Sequence, residues 1–206
     1  MRTVIVIVIA TIGLSLARPH LRKVLDLEHY RLAANTESAH QKVDEAGSAE
    51  HFSAAENLEA LDIGYLREAR ESIDVAMFSF TDRRIAEALK KLAVGHVKIR
   101  IYRDQGQFRE EQLRAAHFRD LSTSLLLKGS VNVQIRLKQG PDSNLMHSKQ
   151  WCIDRRLLRD GSANWSRSGE VIQDNQIHIM SDPREIAAFE KTFEEMWSRP
   201  NNRVIQ

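Results

Sequence analysis

Cysteine, proline, glycine and net charge are all scarce in this chain. Its 206 residues contain one Cys, four Pro and nine Gly, and 30 basic against 28 acidic residues give a formal charge of +2. A single cysteine, Cys152, excludes an intrachain disulfide framework and a cysteine-rich zinc module. Low Pro and Gly with 42% hydrophobic residues exclude collagen-like and largely disordered classes. The near-neutral charge provides no global attraction to nucleic acid, so any anion site must be local.

A long apolar run is missing except near the N-terminus. Residues 1–17 combine Arg2, an apolar stretch and the small residues Ser15 and Ala17 at the −3 and −1 positions of a cleavage site. This pattern predicts a signal peptide and an exported, periplasmic or secreted protein. An uncleaved membrane anchor is the alternative. The run is shorter than the ~20 residues of a spanning helix, which favours cleavage.

The remaining chain divides into three segments. Residues 18–53 are charged and poor in branched aliphatic side chains, which predicts a helical spacer. Residues 54–199 alternate between helical and strand periodicity and form the predicted folded domain. Residues 200–206 are predicted to be a tail. Helices that alternate with short apolar strands predict an α/β fold with a mixed, mostly buried β-sheet flanked by helices.

The predicted elements of the folded domain follow from apolar spacing and helix caps. Predicted strands cover residues 73–80, 97–102, 131–137, 148–153, 157–160 and 176–180. Predicted helices cover residues 54–70, a segment capped by Thr81 or Asp82 and ending at Gly95, residues 107–127, and a segment capped by Asp182. Pro183 at the first position and Glu185 at the third strengthen this last helix start.

One segment, residues 147–164, carries the pattern H-x-K-x4-D-x6-G-S-x-N. A chance match to six specified positions has a probability on the order of 10⁻⁵. On a strand, His147 and Lys149 point to the same face. A neutral imidazole can attack phosphorus, and a fixed ammonium neutralises charge on the phosphoryl oxygens. Gly161 and Ser162 allow close approach to an anion, and Asn164 adds an amide donor.

This pattern resembles the HKD signature of the phospholipase D superfamily, whose members cleave phosphodiesters through a phosphohistidine. The segments ESIDVAMFSFTDRRIAEAL, VKIRIYRD and SANWSRSG are similar to those of Nuc-type bacterial endonucleases and mitochondrial cardiolipin hydrolases. The resemblance covers about residues 50–198. It implies a phospholipase D-like lobe and a metal-independent phosphodiesterase without a cofactor, acting as a non-specific endonuclease on DNA or RNA. One alternative is a hydrolase of phospholipids, phosphatidylcholine or cardiolipin, and another is an inactive phosphate-binding dimer.

The resemblance also implies roles for single residues. The catalytic set consists of His147, Lys149, Asp154, Asn164 and Glu170. Within that set, the family counterpart of Asp154 is chiefly a structural partner. The Nuc-type pattern places a glutamate that bonds the histidine eleven residues after the motif Asn, where this chain has Asn175. Glu170 or Asp174 could take over that orienting role, with Glu170 preferred. Predicted substrate-binding residues are Gly161, Ser162, Arg103, Arg167 and Asn175, and no metal ligand is predicted.

The motif occurs once, and the chain shows no internal repeat. In-line displacement needs a nucleophile on one side of phosphorus and a proton donor on the leaving oxygen. One imidazole does not serve both positions, which predicts a two-fold homodimer with a shared site. Arg155, Arg156 and Arg159 are predicted to form a basic, solvated hairpin.

Overall fold

The computed structural model describes residues 47–141 and 143–205. The predicted signal peptide, residues 1–17, and residues 18–46 of the predicted spacer lie outside the described residues. Within the described ranges, no helix combines the length and the hydropathy required to cross a membrane.

Eight strands, five α-helices and one π-helical turn make up the described chain. The strands are β1 (Ser48–Phe52), β2 (Ser72–Met77), β3 (Lys98–Asp104), β4 (Val133–Lys138), β5 (Lys149–Ile153), β6 (Leu157–Gly161), β7 (Gln176–Met180) and β8 (Arg203–Ile205). The helices are α1 (Leu58–Leu66), α2 (Arg83–Val94), α3 (Gln105–His117), α4 (Thr123–Leu127) and α5 (Pro183–Trp197), and the π-helical turn is Ser168–Ile172.

All eight strands form one mixed sheet in the order β1-β7-β6-β5-β2-β3-β4-β8. The pairs β2–β3 and β3–β4 are parallel, and the other five pairs are antiparallel. The predicted α/β class with a mixed sheet and flanking helices is confirmed. Because β5 lies beside β2, the segment with the histidine motif lies at the centre of the sheet.

Alternating side chains of the central strands enter two apolar cores. Val75, Met77 and Trp151 belong to the larger core, which also holds buried residues of α1 and α2. Ala76 and Cys152 belong to the smaller core beside α5. The residues of α5 in that core are Ile186, Phe189, Phe193 and Trp197. Each large apolar side chain buried in this way contributes roughly 1.5–3 kcal/mol.

Helix ends follow the cap signals in the sequence. The side chain of Asp82 accepts a hydrogen bond from the backbone of Ile85, and Asp182 caps α5 with Pro183 in its first turn. The predicted single helix over residues 107–127 is wrong, since two helices occupy this region. The first ends near Arg119, whose φ of +55° is left-handed, and Ser122 caps the second.

Two predicted boundaries also require correction. The spacer was expected to reach residue 53, but residues 48–52 form β1 and pair with β7. The tail was expected from residue 200, but residues 203–205 form β8 and pair with β4. Both are edge strands held by backbone hydrogen bonds. They bury few apolar side chains, so their sequences carry little of the alternation that predicts a strand.

Candidate active site

His147 and Lys149 meet at the start of β5. The Nζ atom of Lys149 lies 3.3 Å from Nδ1 and 3.4 Å from Nε2 of His147, and it donates to the His147 carbonyl oxygen at 2.8 Å. Because Nζ is nearly equidistant from both ring nitrogens, it is not in line with either in-plane lone-pair direction. His147 is exposed, whereas Lys149 is only 8% exposed. The pair therefore presents a ring nitrogen beside a fixed ammonium.

Phe78, which follows β2, packs against both residues. Its ring centroid lies 4.5 Å from that of His147, and Nζ of Lys149 lies 5.2 Å from the Phe78 centroid. The Phe78 backbone N–H also donates to the carbonyl of Ser148 at 2.9 Å. The loop after β2 thereby restrains the imidazole and the ammonium together.

Asn164 is attached to the same loop. Its Oδ1 accepts a hydrogen bond from the backbone N–H of Ser79 at 3.1 Å. The next residue, Trp165, accepts backbone hydrogen bonds from Thr81 and Asp82. This bond orients the side chain, whose NH2 group carries two donors. The loop after β2 therefore links the His-Lys pair to the amide of the G-S-x-N segment.

Burial tunes the charge of Lys149. Removal from water, together with the positive charge of Arg159, lowers the pKa of the Lys149 ammonium. Both causes act in the same direction because burial and a like charge each disfavour the charged form. The geometry thus combines a nucleophile with an ammonium and amide donors, the groups needed to stabilise an anionic phosphoryl centre.

A family model described as "Cardiolipin synthase, PLD-like domain" matches residues 63–197, which is more than half of the chain. The chain belongs to the phospholipase D-like family.

Curated members of the phospholipase D-like family include two informative relatives. A mitochondrial cardiolipin hydrolase of Chlamydomonas reinhardtii is 28% identical over 66% of this chain and 55% of its own length. The mitochondrial cardiolipin hydrolase of Homo sapiens is 27% identical over 65% of this chain and 48% of its own length. The chain thus matches about half the length of these curated relatives.

Two solved structures of similar size share the phospholipase D-like fold. NucT from Helicobacter pylori has a TM-score of 0.64 and 25% identity, covering 73% of this chain and 94% of that chain. The phospholipase D family member Nuc from Salmonella typhimurium has a TM-score of 0.64 and 20% identity, covering 76% and 96%. At 20% identity, the second likeness shows the fold alone.

The phospholipase D-like motif residue Asp154 has structural contacts. Its carboxylate accepts hydrogen bonds from the backbone N–H groups of Arg70, Glu71 and Ser72 at 2.8, 2.8 and 2.9 Å. It follows the end of β5 opposite to Lys149, so the strand separates it from His147. These contacts agree with the structural role expected of its family counterpart.

Gly161 and Ser162 are engaged within the protein. A Cβ atom on Gly161 would lie 2.3 Å from the carbonyl oxygen of Gln176, so the close approach it permits is to β7. Ser162 Oγ donates to Oδ1 of Asn175 at 2.8 Å and accepts from the Gln176 backbone at 3.1 Å. Both residues therefore fix the loop, and their approach to an anion stays a prediction.

The prediction that the Glu170 carboxylate orients His147 is wrong. Glu170 is fully buried beside Asp62, Asp82 and Glu59. Its pKa is raised well above the usual range, mainly by burial and also by the negative charges of these neighbours. The described residues contain no hydrogen bond between Glu170 and His147. A position on the π-helical turn directs this side chain into the protein, which the linear spacing could not reveal.

Asn175, which was predicted to contact substrate, instead forms hydrogen bonds within the protein. Besides accepting from Ser162, it donates from Nδ2 to the Gly169 carbonyl at 2.7 Å. Its backbone N–H donates to Ser53 Oγ at 2.9 Å. Asn175 thus fixes the loop that follows Asn164 instead of bonding the histidine.

Arg103 cannot contact substrate as predicted, because it is fully buried. Its guanidinium bonds Oε1 of Glu111 at 2.6 Å and the carbonyls of Met77 and Phe78 at 3.1 and 3.3 Å. It supports the loop after β2 from inside. Arg167 is exposed immediately before the π-helical turn, and its contact with phosphate stays a prediction.

Sequence reasoning missed three residues that build this site. Phe78 lacked a chemical signature, and Arg159 was assigned to a solvated hairpin although it is fully buried. Alternation along β6 was the available signal for Arg159, since Leu157 and Arg159 lie on one face. Asp62 was missed as its partner. In the described ranges, no cluster of three or more His, Cys, Asp or Glu residues is arranged to hold a metal ion.

Proposed function

We propose that this chain is a phosphodiesterase that cleaves DNA or RNA through a covalent phosphohistidine on His147. The observation that carries the proposal is the position of Lys149 Nζ, 3.3 Å from Nδ1 of an exposed His147. An exposed imidazole can reach a bulky phosphodiester. The adjacent ammonium lowers the energy of the phosphoryl group as negative charge accumulates on its oxygens.

The reaction proceeds in two displacements. A His147 ring nitrogen attacks phosphorus, an N–P bond forms, and the P–O bond to the leaving group breaks. A general acid protonates the leaving oxygen. Water then attacks phosphorus, the N–P bond breaks, and the same group accepts the proton of that water. Lys149 and Asn164 stabilise the phosphoryl oxygens in both steps, so we expect turnover in excess EDTA.

The general acid is the partner's His147 in a two-fold homodimer. Lys149 is only 8% exposed and supplies the ammonium beside the nucleophile, so it does not face the leaving group. The exposed position of His147 at the start of β5 allows a second copy to face it. A two-fold axis beside this position gives one site two histidines on opposite sides of phosphorus.

Nucleic acid is the preferred substrate because this chain resembles Nuc-type endonucleases and has the size of a single phospholipase D-like lobe. It covers 94% of NucT, but only 55% of the first curated relative. Phospholipid is the second candidate. It is favoured by the names of the curated relatives as cardiolipin hydrolases and by exposed apolar side chains at Leu113, Phe118 and Leu121.

A parallel substrate assay tests the proposal. Plasmid DNA, single-stranded DNA and RNA oligonucleotides, cardiolipin and phosphatidylcholine vesicles are offered to the wild-type chain in excess EDTA. Cleavage of the nucleic acids is expected, and phospholipid cleavage alone would favour the second candidate. His147→Ala should abolish turnover and trapped phosphoenzyme, whereas His117→Ala, an exposed histidine on α3, should retain both.

If none of the substrates is cleaved but an anion such as vanadate binds, the result would instead favour an inactive phosphate-binding dimer. Sedimentation equilibrium tests the shared site independently. We expect a dimer at the enzyme concentrations of the assay. A fully active monomer would contradict the two-histidine mechanism.

A further inference from the structure

Arg159 on β6 and Asp62 on α1 form an ion pair in the interior of the domain. Both side chains are fully buried, and Nη2 of Arg159 lies 3.3 Å from Oδ2 of Asp62. Placing two charges in the interior carries a desolvation cost of several kcal/mol per ion. An apolar pair would fill the same volume without that cost, so the contacts of this pair need an explanation.

The guanidinium bonds both segments of the histidine motif. Nη1 of Arg159 donates to the carbonyl oxygen of Lys149, and Nη2 donates to that of Ala163 at 2.9 Å. Lys149 begins β5, and Ala163 directly precedes Asn164. One planar cation thereby bridges the backbone of the H-x-K segment to the backbone of the G-S-x-N segment.

The carboxylate bonds the same two segments from the other side. Oδ1 of Asp62 accepts from the indole N–H of Trp151 at 2.6 Å, and Oδ2 accepts from that of Trp165 at 2.9 Å. Trp151 lies two residues after Lys149, and Trp165 directly follows Asn164. The ion pair therefore makes two bonds to each segment.

We infer that Arg159, fixed by Asp62, is a positioning residue that sets the separation of Lys149 and Asn164 around the phosphoryl group. This inference rests on the proposed phosphodiesterase function. Because Arg159 is fully buried, it can act on a substrate only through the residues that it positions. Preorganisation of this kind is valuable because a misplacement of about 1 Å costs on the order of 10²-fold in rate.

Arg159 also acts on Lys149 through its charge. Removing Arg159 removes one of the two causes that lower the pKa of Lys149, so that pKa should rise. Titratable neighbours of the pair are His147 beside Lys149, and Glu170 and Tyr65 near Asp62, while Asp82 and Glu59 lie near Glu170. Glu170 has a strongly raised pKa and is favoured in its neutral form, which limits competition with Asp62 for Arg159.

Two substitutions separate the effect of Arg159 on the position of its neighbours from the effect of its charge on Lys149. Arg159→Met should lower kcat about 10- to 100-fold with little change in KM. Deprotonation of Lys149 lowers the rate at high pH, and this alkaline limb of the pH profile should move to higher pH in Arg159→Met. Arg159→Lys should also lower kcat, because one ammonium does not reach both carbonyls. It keeps a positive charge near Lys149, so its alkaline limb should stay at the wild-type pH. If Arg159→Met fails to fold, Arg159→Lys still reports the positional effect.

Arg100→Met is the matched control. Arg100 forms an ion pair with Asp74 at 2.7 Å, on the sheet face that packs on α5. This variant should lose stability while its alkaline limb remains unchanged. A general loss of stability in Arg159→Met would leave the limb unchanged as well, so a shifted limb shows that Arg159 acts on Lys149 through its charge, and the kcat of Arg159→Lys reports its effect on position.

An NMR titration of lysine labelled with ¹³C at Cε measures the pKa of Lys149 without any turnover, and Lys149→Met assigns its signal. We expect a higher pKa in Arg159→Met than in the wild-type chain. A folded Arg159→Met variant with wild-type kcat would overturn the positioning role, and an unchanged pKa of Lys149 in that variant would overturn the coupling through charge. An inactive wild-type chain with the expected rise in pKa would overturn the proposed function and support the coupling of Arg159 to Lys149.

Discussion

Lys149 Nζ donates to the carbonyl oxygen of His147 at 2.8 Å while lying 3.3 Å from Nδ1 of the same residue. The ammonium is thus fixed by the backbone of the residue whose ring it accompanies. A lysine side chain ordinarily loses up to about 2 kcal/mol of rotamer freedom when it is immobilised. Here that ordering is complete before substrate binds, which favours stabilisation of a developing charge over simple attraction of an anion.

Replacing this ammonium should reduce the rate steeply. Lys149→Met is expected to lower kcat/KM on the order of 10²- to 10³-fold, the usual effect of losing one preorganised electrostatic group. The wild-type rate should fall as pH rises through the pKa of Lys149. Because burial and Arg159 lower that pKa, the fall should begin below the pH expected for an ordinary lysine. A pH profile of kcat/KM provides the measurement.

Lys149→Arg is the control for this assignment. A guanidinium stays protonated across the same pH range, so the part of the alkaline fall that Lys149 causes should disappear even if the rate is low, and any fall that remains belongs to the general acid. Persistence of the limb in this variant would assign it to another group.

Arg103 should affect stability instead of substrate affinity. Arg103→Met leaves the Glu111 carboxylate buried without its cation, and breaking a buried pair in this way costs about 3–5 kcal/mol. Urea unfolding should show this loss. Arg83→Met, which breaks an exposed pair with Asp120, should change the unfolding midpoint far less, because solvent screens that pair. A raised KM with unchanged stability would restore Arg103 as a substrate contact.

Asp154 should stabilise the fold in a pH-dependent manner. Burial opposes its ionisation, but hydrogen bonds from Ser72, Glu71 and Arg70 outweigh burial and lower its pKa. A lowered pKa contributes stability above the pKa of the unfolded chain, about 3.9, and this contribution is lost as pH falls through the folded-state pKa. Asp154→Asn should cost about 1.5–3 kcal/mol at pH 7. Urea unfolding at several pH values should show a shrinking difference in acid.

Gly161 should tolerate no side chain. The Cβ of Gly161→Ala would lie 2.3 Å from the Gln176 carbonyl oxygen and 2.8 Å from Cα of Ile177, both in the backbone of β7. We expect a loss of about 3 kcal/mol or more from backbone strain and overpacking together. Gly129→Ala has a positive φ but open space, so about 1 kcal/mol is expected. Equal thermal shifts for the two variants would contradict the close approach.

Local patterns in the chain were sufficient for the central strands, the start of α5 and the motif itself. Strand β7 was predicted with its observed bounds, and Asp182 with Pro183 marked the start of α5. The proximity of the proposed nucleophile and its ammonium was predicted from their spacing, because residues two apart on an extended chain point to one face. These features depend on neighbours within a few residues, which is why a single sequence reveals them.

The direction of isolated charged side chains required the tertiary structure. Arg103, Arg159 and Glu170 carry charged side chains that were expected to reach solvent, substrate or His147, yet all three are fully buried. Their partners Glu111 and Asp62 lie 8 and 97 residues away along the chain. Short-range periodicity reports which face of an element is apolar, but it does not report which distant group compensates a buried charge.

The pattern of residues 147–164 thus predicts the chemistry of His147, Lys149 and Asn164 from the sequence alone. Their separation in space was decided by contacts from α1, β6 and the loop after β2. The physical reason is that reactivity is a property of the side chains themselves, which the motif identifies by residue type and spacing. Preorganisation resides in the buried hydrogen bonds of Asp62 and Arg159, which form only when distant segments pack together.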